Sequence, residues 1–261
     1  HELSVIDQPA LLAKLERIAR GEKVGGASST ADEVPNDLSF LVGLRRRVAL
    51  PGQGPRGLAV NASRVFVAQY FSDSLAWLEL GPNADAPLKP AAWPLGPQHP
   101  PSQVRRGEFL FFDATMCFQH WQSCGSCHPD ARVDALNWDL LNDGIGNPKN
   151  TKNMLWAHRT PPAMSLGVRE TAETAVRAGI RHIQFAVRPE EDANAIDAYL
   201  KSLKPVVSPH RKGGALNDAA KRGQRLFGQA GCARCHPGPL FTDLHPYDVG
   251  TGTGREAGQA F

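Results

Sequence analysis

Hydrophobic and polar positions change their period along the chain, and this change predicts both helices and strands. Apolar residues recur at helical spacing over 9–19, with Asp7 as the expected N-cap. Shorter runs at 57–60, 64–68 and 74–80 have the β-type composition of strands and are separated by turn residues. The first hundred residues are therefore predicted to hold a helix followed by a β-rich segment.

A short helical segment occurs twice in the remainder of the chain. Residues 106–111 and 222–227 are similar, and the offset between them is constant at 116. In each copy a glycine and a phenylalanine four residues apart lie on one helical face, where glycine lets a second helix cross closely. The repeat predicts two related, mainly α domains in tandem.

Capping and breaking residues set the predicted limits of these domains. A helix at 190–203, which ends before a proline, closes a first domain at 101–210. A second domain at 211–261 opens with a helix at 219–229, and no closing helix follows it. We therefore expect the chain to be part of a longer protein. Two polar residues are the expected N-caps: Ser102 and Asn217.

The β-rich segment at 1–100 resembles part of a β-propeller, specifically one blade of the YVTN type. A single blade cannot bury both faces of its own sheet, so a propeller needs several blades. Two interpretations follow. Either more blades or a partner cover this blade and residue 1 is an interior position, or the segment is an isolated β-rich extension.

Charge and composition exclude two classes of function. The chain has 29 Lys and Arg against 26 Asp and Glu, and only three tyrosines, so it lacks the basic, aromatic stripe of a nucleic-acid binder. No apolar run approaches the roughly 18 residues of a membrane span. Nucleic acid is therefore not an expected partner, and no membrane span is expected in this segment.

The cysteines decide the expected chemistry. Four of the five form two Cys-x-x-Cys pairs, and each pair is followed directly by histidine. This pattern attaches a c-type haem: the two thiols bond the porphyrin edge and the histidine ligates the iron. Six residues are therefore predicted to hold two covalently bound haem c groups: Cys124, Cys127, His128, Cys232, Cys235 and His236.

Other uses of paired cysteines fit less well. A zinc ribbon places its pairs about 15 to 20 residues apart, whereas the two motifs here are offset by 108 residues. A thioredoxin-type redox pair or a structural disulfide would not explain a histidine after both pairs. The fifth cysteine, Cys117, is predicted to be a small buried hydrophobic residue, with a bridge or a reactive thiol as the alternatives.

Two further runs accompany the haem motifs. Phe-Phe-Asp stands at 111–113 and Gly-Pro-Leu-Phe-Thr-Asp at 238–243. With the tandem motifs, they resemble the bacterial di-haem cytochrome c peroxidase and MauG superfamily over about 102–261. The resemblance implies that the N-terminal haem activates hydrogen peroxide, that the C-terminal haem delivers electrons, and that a calcium ion lies between the domains.

The resemblance transfers unevenly to the other site residues. Asn150 matches a calcium ligand of the family, although a loop turn residue is the alternative. The displaceable histidine of the peroxidases is missing from 140–146, and the usual distal carboxylate is not evident. His182 and Gln184 stand nearest to the expected distal position. His182 is interpreted either as a distal acid–base group or as a direct iron ligand.

Several other side chains compete for roles near the haems. Four are alternative sixth ligands: Met154, Met164, His158 and His120. Two tryptophans, Trp138 and Trp156, are either a redox relay or core aromatics.

The sequence thus predicts a peroxidase-like, di-haem oxidoreductase. Because covalent haem attachment in the family occurs outside the bacterial cytoplasm, the resemblance implies export to the periplasm or the cell surface. Its expected partners are hydrogen peroxide and a redox protein such as a small cytochrome or a cupredoxin. The alternative is a non-catalytic electron-transfer subunit of a larger assembly.

Overall fold

The chain forms two compact units in a computed structural model, residues 1–99 and 100–261. Each unit is described by itself. The predicted division between residues 210 and 211 falls inside the second unit and stays a prediction. The structure describes the following residues: 1–24, 30–61, 63–81, 87–139, 148–211, 213–254 and 257–260.

The first unit begins with a strand and the predicted helix. Strand β1 (Glu2–Ile6) pairs antiparallel with β2 (Arg45–Ala49). Helix α1 (Gln8–Ala19) starts where predicted, because the Asp7 carboxylate accepts a hydrogen bond of 3.0 Å from the backbone N–H of Ala10.

A four-stranded antiparallel sheet follows in the same unit. Its strands are β3 (Pro55–Asn61), β4 (Arg64–Gln69), β5 (Ser74–Glu79) and β6 (Ala91–Pro94), each hydrogen-bonded to the next in sequence. The three predicted strands are confirmed, and β6 was not predicted. Such a meander is the form of one propeller blade; the propeller itself remains a prediction. One face of the sheet is buried and carries Val65, Val67, Ala76 and Leu78.

The second unit is mainly helical. It contains five α-helices and one short strand pair among the described residues. The elements are α2 (Gln103–Phe112), α3 (Cys124–Cys127), β7 (Asn137–Trp138), β8 (Lys149–Asn150), α4 (Ala172–His182), α5 (Glu190–Ser202) and α6 (Asp218–Gln229).

Helix α2 crosses α5 at the glycine that the sequence singled out. A Cβ atom at Gly107 would overlap the backbone carbonyl of Ala195, so only glycine permits this approach. The side chains beside the crossing form the core of the unit, with Phe111 only 1% exposed and Ile196 also 1% exposed. The predicted close crossing of the first repeat is therefore confirmed.

Helix α6 carries the second copy of the repeat, and its packing differs. None of its residues is buried, and a Cβ atom at Gly223 would meet no atom within 4 Å. The Asn217 side chain caps the helix as predicted, accepting a hydrogen bond of 2.8 Å from the backbone N–H of Ala220. Within the described chain, α6 is thus a formed helix with an open face.

The described residues are about 38% helical and 17% strand, in line with the predicted excess of helix. Among them, no helix combines the length and the apolar character needed to cross a membrane.

Candidate functional site

A cavity of about 410 Å³ lies in the second unit, bounded by the first Cys-x-x-Cys-His motif and by helices α4 and α5. Its lining is largely apolar where the helices face it. The helical part of the wall consists of Ala172, Ala175, Val176, Gly179, Ile180, Ile196 and Leu200.

The first motif reaches this cavity through the single-turn helix α3. Both Cys124 and Cys127 line the cavity, and the backbone N–H of His128 donates to the carbonyl of Cys124 at 3.0 Å. Burial raises the pKa of the Cys124 thiol to about 12 and also raises the pKa of Cys127. Without a bound group, the two cysteines are therefore neutral thiols near neutral pH.

The backbone orients the ring of His128. Its Nδ1 lies 3.2 Å from the carbonyl oxygen of Arg132, and the backbone of Lys152 also hydrogen-bonds to the ring. A carbonyl only accepts, so Nδ1 carries the hydrogen in the neutral ring. Burial lowers the pKa of His128, which favours the neutral imidazole. This orientation by a backbone carbonyl is typical of a metal-ligating histidine.

The residues around the cavity fit a covalently attached haem. Two thiols and a histidine stand on one part of the wall, and the apolar faces of α4 and α5 form another part. Two buried polar atoms, His158 Nδ1 and Gln184 Oε1, have no hydrogen-bond partner among the described residues, and both side chains line the cavity. Such orphaned atoms indicate a missing bound group.

An insertion positions one side of this wall. The first copy of the repeat carries eight more residues before its motif than the second, because the motif offset is 108 and the segment offset is 116. The extra residues form two 3₁₀ turns, Ala114–Met116 and Phe118–His120. The backbone N–H of Phe118 donates to the carbonyl of Gln184 at 2.9 Å, which fixes the segment after α4.

Cys117 lies between these two turns and is 2% exposed. The structure shows it as a free cysteine. It is therefore buried, as the sequence predicted.

The two predicted distal residues lie in different environments. His182 is the last residue of α4 and is exposed, and it does not line the cavity. Ala175 and Gly179, seven and three residues earlier, line the cavity, so position 182 lies at the edge of the same helical face and is exposed where the helix ends. Gln184, in contrast, is 3% exposed and lines the cavity. Gln184 therefore stands on the wall, and the distal role of His182 stays a prediction.

The candidate sixth ligands differ in whether they line the cavity. Met154, Met164 and His158 line the cavity, whereas His120 is exposed and does not. Of the two tryptophans, Trp138 lines the cavity and is 40% exposed. Trp156 is half-buried and does not reach the wall.

A buried ion-pair network stands behind His158. Its Nε2 lies 2.8 Å from Oδ1 of Asp197, and the two side chains are 3% and 6% exposed. Arg177 Nη1 donates to the other carboxylate oxygen at 2.6 Å. Burial disfavours the charge on Asp197, but the hydrogen bonds from His158 and Arg177 outweigh burial and hold the pKa of this carboxyl below its usual range.

Sequence reasoning missed Asp197 and Arg177. Asp197 stands among the apolar positions of α5, and Arg177 belongs to the polar part of α4. A carboxylate on a predicted core face was the available signal, because a buried charge needs a partner. Its partner is 39 residues away in sequence, so only the fold identifies it.

Asn150, the predicted calcium ligand, is exposed on β8. Its side-chain amide lies 3.4 Å from Oδ1 of Asn137 across the short strand pair. Within the described chain, no group of three or more His, Cys, Asp or Glu side chains is arranged to hold a metal ion. The 140–146 stretch, where the displaceable histidine is missing, lies outside the described residues.

The second motif repeats the orientation of the first histidine. His236 Nδ1 lies 2.9 Å from the carbonyl of Phe241, so this Nδ1 also carries the hydrogen in the neutral ring. Cys232 begins a 3₁₀ turn and is exposed, and Cys235 accepts a backbone hydrogen bond of 3.1 Å from Asp243. The local ligand geometry is therefore formed although the surroundings are open.

Comparisons with known proteins give three relatives. The hydrazine synthase subunit gamma of Kuenenia stuttgartiensis is 35% identical over 170 residues, covering 57% of this chain and 48% of the relative. The methylamine utilization protein MauG of Methylorubrum extorquens is 26% identical over 215 residues, covering 65% and 58%. The cytochrome-c peroxidase IdrP1 of a Pseudomonas species is 25% identical over 225 residues, covering 68% and 58%.

A solved structure of Kuenenia stuttgartiensis hydrazine synthase is also similar. Its TM-score is 0.52 and its identity is 31%, covering 57% of this chain and 55% of that chain. No protein-family model matches the sequence.

These relatives support the resemblance to the di-haem cytochrome c peroxidase and MauG-like superfamily and the presence of haem. The chain spans about half the length of the curated relatives it matches.

Proposed function

We propose that this chain is part of an exported, di-haem c-type oxidoreductase that reduces hydrogen peroxide. The observation that carries the proposal is the 410 Å³ cavity, because both cysteines and the histidine of the first motif stand on its wall. The proposal also follows the peroxidase and MauG relatives, which are oxidoreductase homologues at low identity.

The residues that would hold the two haems are those of the two motifs. Cys124 and Cys127 would supply the thioether bonds in the first copy, with His128 Nε2 as the axial ligand. In the second copy, His236 Nε2 has the same orientation, set by the carbonyl of Phe241. When bound, a haem supplies iron redox chemistry whose potential the axial ligand and the polarity of the pocket determine.

The protein's own contribution is the environment of the cavity. The apolar faces of α4 and α5 exclude water, which strengthens every polar interaction inside. Gln184 Oε1, buried and without a described partner, is placed to accept a hydrogen bond from a small polar ligand such as peroxide. The 2.9 Å bond from Phe118 holds the Gln184 backbone in place.

The remaining features complete the proposal. The sheet of the first unit would form part of a propeller, and Asn150 would contribute to a calcium site. A small cytochrome or a cupredoxin would deliver electrons through the second haem.

A second function is favoured by one specific comparison. The relative with the highest of the three identities is named as a subunit, the gamma subunit of hydrazine synthase. This chain would then be a non-catalytic electron-transfer part of a larger assembly, with both irons closed by a sixth ligand from the protein. Met154 and Met164 line the cavity and are available for that role.

Electron paramagnetic resonance of the ferric holoprotein separates the two functions. We expect one high-spin signal that a small excess of hydrogen peroxide abolishes, and peroxide turnover well above that of free haem with a cytochrome donor. Two low-spin signals that do not respond to peroxide would overturn the peroxidase proposal and support the electron-transfer subunit.

A further inference from the structure

The first cavity contains a buried acid–base pair that no sequence motif identifies. His158 lines the cavity, its Nε2 lies 2.8 Å from Asp197, and its Nδ1 is buried without a partner among the described residues. Asp197 is a carboxylate that only accepts, so Nε2 carries a hydrogen. The neutral ring therefore has its lone pair on Nδ1.

The surroundings of the pair keep its geometry fixed. Arg177 donates to the second oxygen of Asp197 at 2.6 Å and also pairs with Glu190 on α5. Glu173, the other nearby acid, pairs with Lys201 at 2.7 Å. With Asp197 anchored on both oxygens, the imidazole can gain or lose a proton at Nδ1 without moving.

We propose that His158 is the proton-transfer group of this cavity and that Asp197 is its positioning residue. The inference rests on the proposed function, and it supplies the acid–base group that the sequence lacks at the expected distal position. An imidazole backed by a carboxylate accepts a proton as a base and returns it as an acid.

The reaction balances with two molecules of a reduced one-electron carrier protein. His158 Nδ1 takes the proton from one oxygen of a bound hydrogen peroxide and gives it to the other oxygen, so the O–O bond breaks and one water leaves. The remaining oxygen atom becomes a second water by taking one electron from each of the two carrier molecules and two protons from solvent. His158 ends in its original protonation state.

Cyanide binding tests the proposal without turnover. Hydrogen cyanide must lose its proton to bind ferric haem as an anion, so a base in the cavity accelerates its association. In stopped-flow measurements on the ferric holoprotein, we expect His158→Gln to slow association about 100-fold, the lower range of general acid–base catalysis. The matched control is His210→Gln, which removes an exposed histidine of the same unit that has no proposed role and should leave the rate unchanged.

If His158→Gln yields no holoprotein, a second variant can be measured in its place. Asp197→Asn retains His158 but weakens its orientation, and we expect association to slow about tenfold, with a shifted pH profile, as for other residues that orient a functional histidine.

Two results would overturn the inference in different ways. If wild type and the testable variant bind cyanide at equal rates, the proton-transfer role is wrong and the proposed function stands. If wild type binds no cyanide, the iron is closed and both proposals are wrong.

Discussion

The two copies of the haem segment start from similar sequence and reach different structures. In the first, α2 and α5 cross at Gly107, and Leu110, Phe111 and Ile196 form a core. In the second, α6 has its cap and its helical geometry but buries no residue, and Gly223 meets no atom within 4 Å. Local sequence thus suffices for the helix and for the orientation of the motif histidine, whereas the enclosed cavity depends on a crossing partner.

The insertion before the first motif is the other difference. The backbone N–H of Phe118, in its second 3₁₀ turn, bonds to the carbonyl of Gln184, whose side chain lines the cavity. The second copy has no such residues, since its motif follows the repeat eight residues sooner. A cavity lined by both apolar and polar groups is therefore a property of the first copy, and this predicts unequal responses to the same substitution in each.

The largest expected difference comes from removing the attachment cysteines. Without a bound haem, the apolar side chains that α4 and α5 turn toward this cavity would contact water, at about 25 cal/mol per Å² of apolar surface. We expect the double variant Cys124→Ala, Cys127→Ala to lose one haem and fail to accumulate folded. Cys232→Ala with Cys235→Ala should lose one haem and keep the first core.

For both double variants, the pyridine haemochrome assay measures haem content and near-ultraviolet circular dichroism measures folded tertiary structure. Equal loss of folded protein in both variants would show that the second copy is as enclosed as the first.

The repeat glycines give the next largest effect. Gly107→Ala places a methyl group against the Ala195 carbonyl, where no rotamer change relieves the overlap, and should cost about 3 kcal/mol or more. Gly223→Ala lies in open space inside a helix and should gain about 0.5–1 kcal/mol in helix stability. Urea unfolding of the holoprotein variants measures both. A comparable loss at Gly223 would mean that another helix crosses α6 in the holoprotein.

The two copies should differ in how their stability depends on pH, because Asp197 in the first copy is buried and Asp243 in the second is not. Because the folded-state pKa of Asp197 is lowered, its contribution is present above its ordinary value of about 4 and is lost as pH falls further toward the folded-state pKa. Asp197→Asn should lower the free energy of unfolding by about 2 kcal/mol at neutral pH. It should also make the stability of the protein depend less steeply on pH in acid.

Asp243 is the control for this prediction. It is paired with Tyr247 at 2.6 Å in the second copy, and that hydrogen bond lowers its pKa. Since the pair is solvent-exposed, Asp243→Asn should leave the thermal unfolding midpoint unchanged between pH 3 and 7, an interval set around the usual carboxyl pKa of about 4. If the thermal unfolding midpoint of Asp197→Asn falls with acid as steeply as that of the wild type, the role of the buried carboxylate is contradicted.

The smallest expected difference concerns the two N-caps. Ser102 and Asn217 each accept a hydrogen bond from a backbone N–H three residues later, at 3.2 Å and 2.8 Å. Replacing either with alanine should lower the stability of the helix that it caps by about 1 kcal/mol. Only Ser102→Ala should lower the thermal midpoint of the first core, because α2 is part of it. An equal shift from Asn217→Ala would show that α6 unfolds together with that core.

The sequence alone determined the features that are local or periodic. The helices at 9–19 and 190–203, the strands at 57–80 and both caps follow from side-chain spacing and from single capping residues. The two Cys-x-x-Cys-His motifs are visible in the sequence for the same reason, because their cysteines and histidine are adjacent in the chain, and their role in holding haem stays a prediction. Even the Gly107 crossing was predictable, since a glycine on an apolar helical face signals a close approach.

The tertiary structure decided which polar groups meet. His182 and Gln184 are two residues apart, yet one is exposed and the other lines the cavity, because α4 ends at His182 and the next segment bonds through its Gln184 carbonyl to Phe118. His158 and Asp197 are 39 residues apart and form one buried pair. A buried charge is stable only beside its partner, and such a partner is set by packing rather than by distance along the chain.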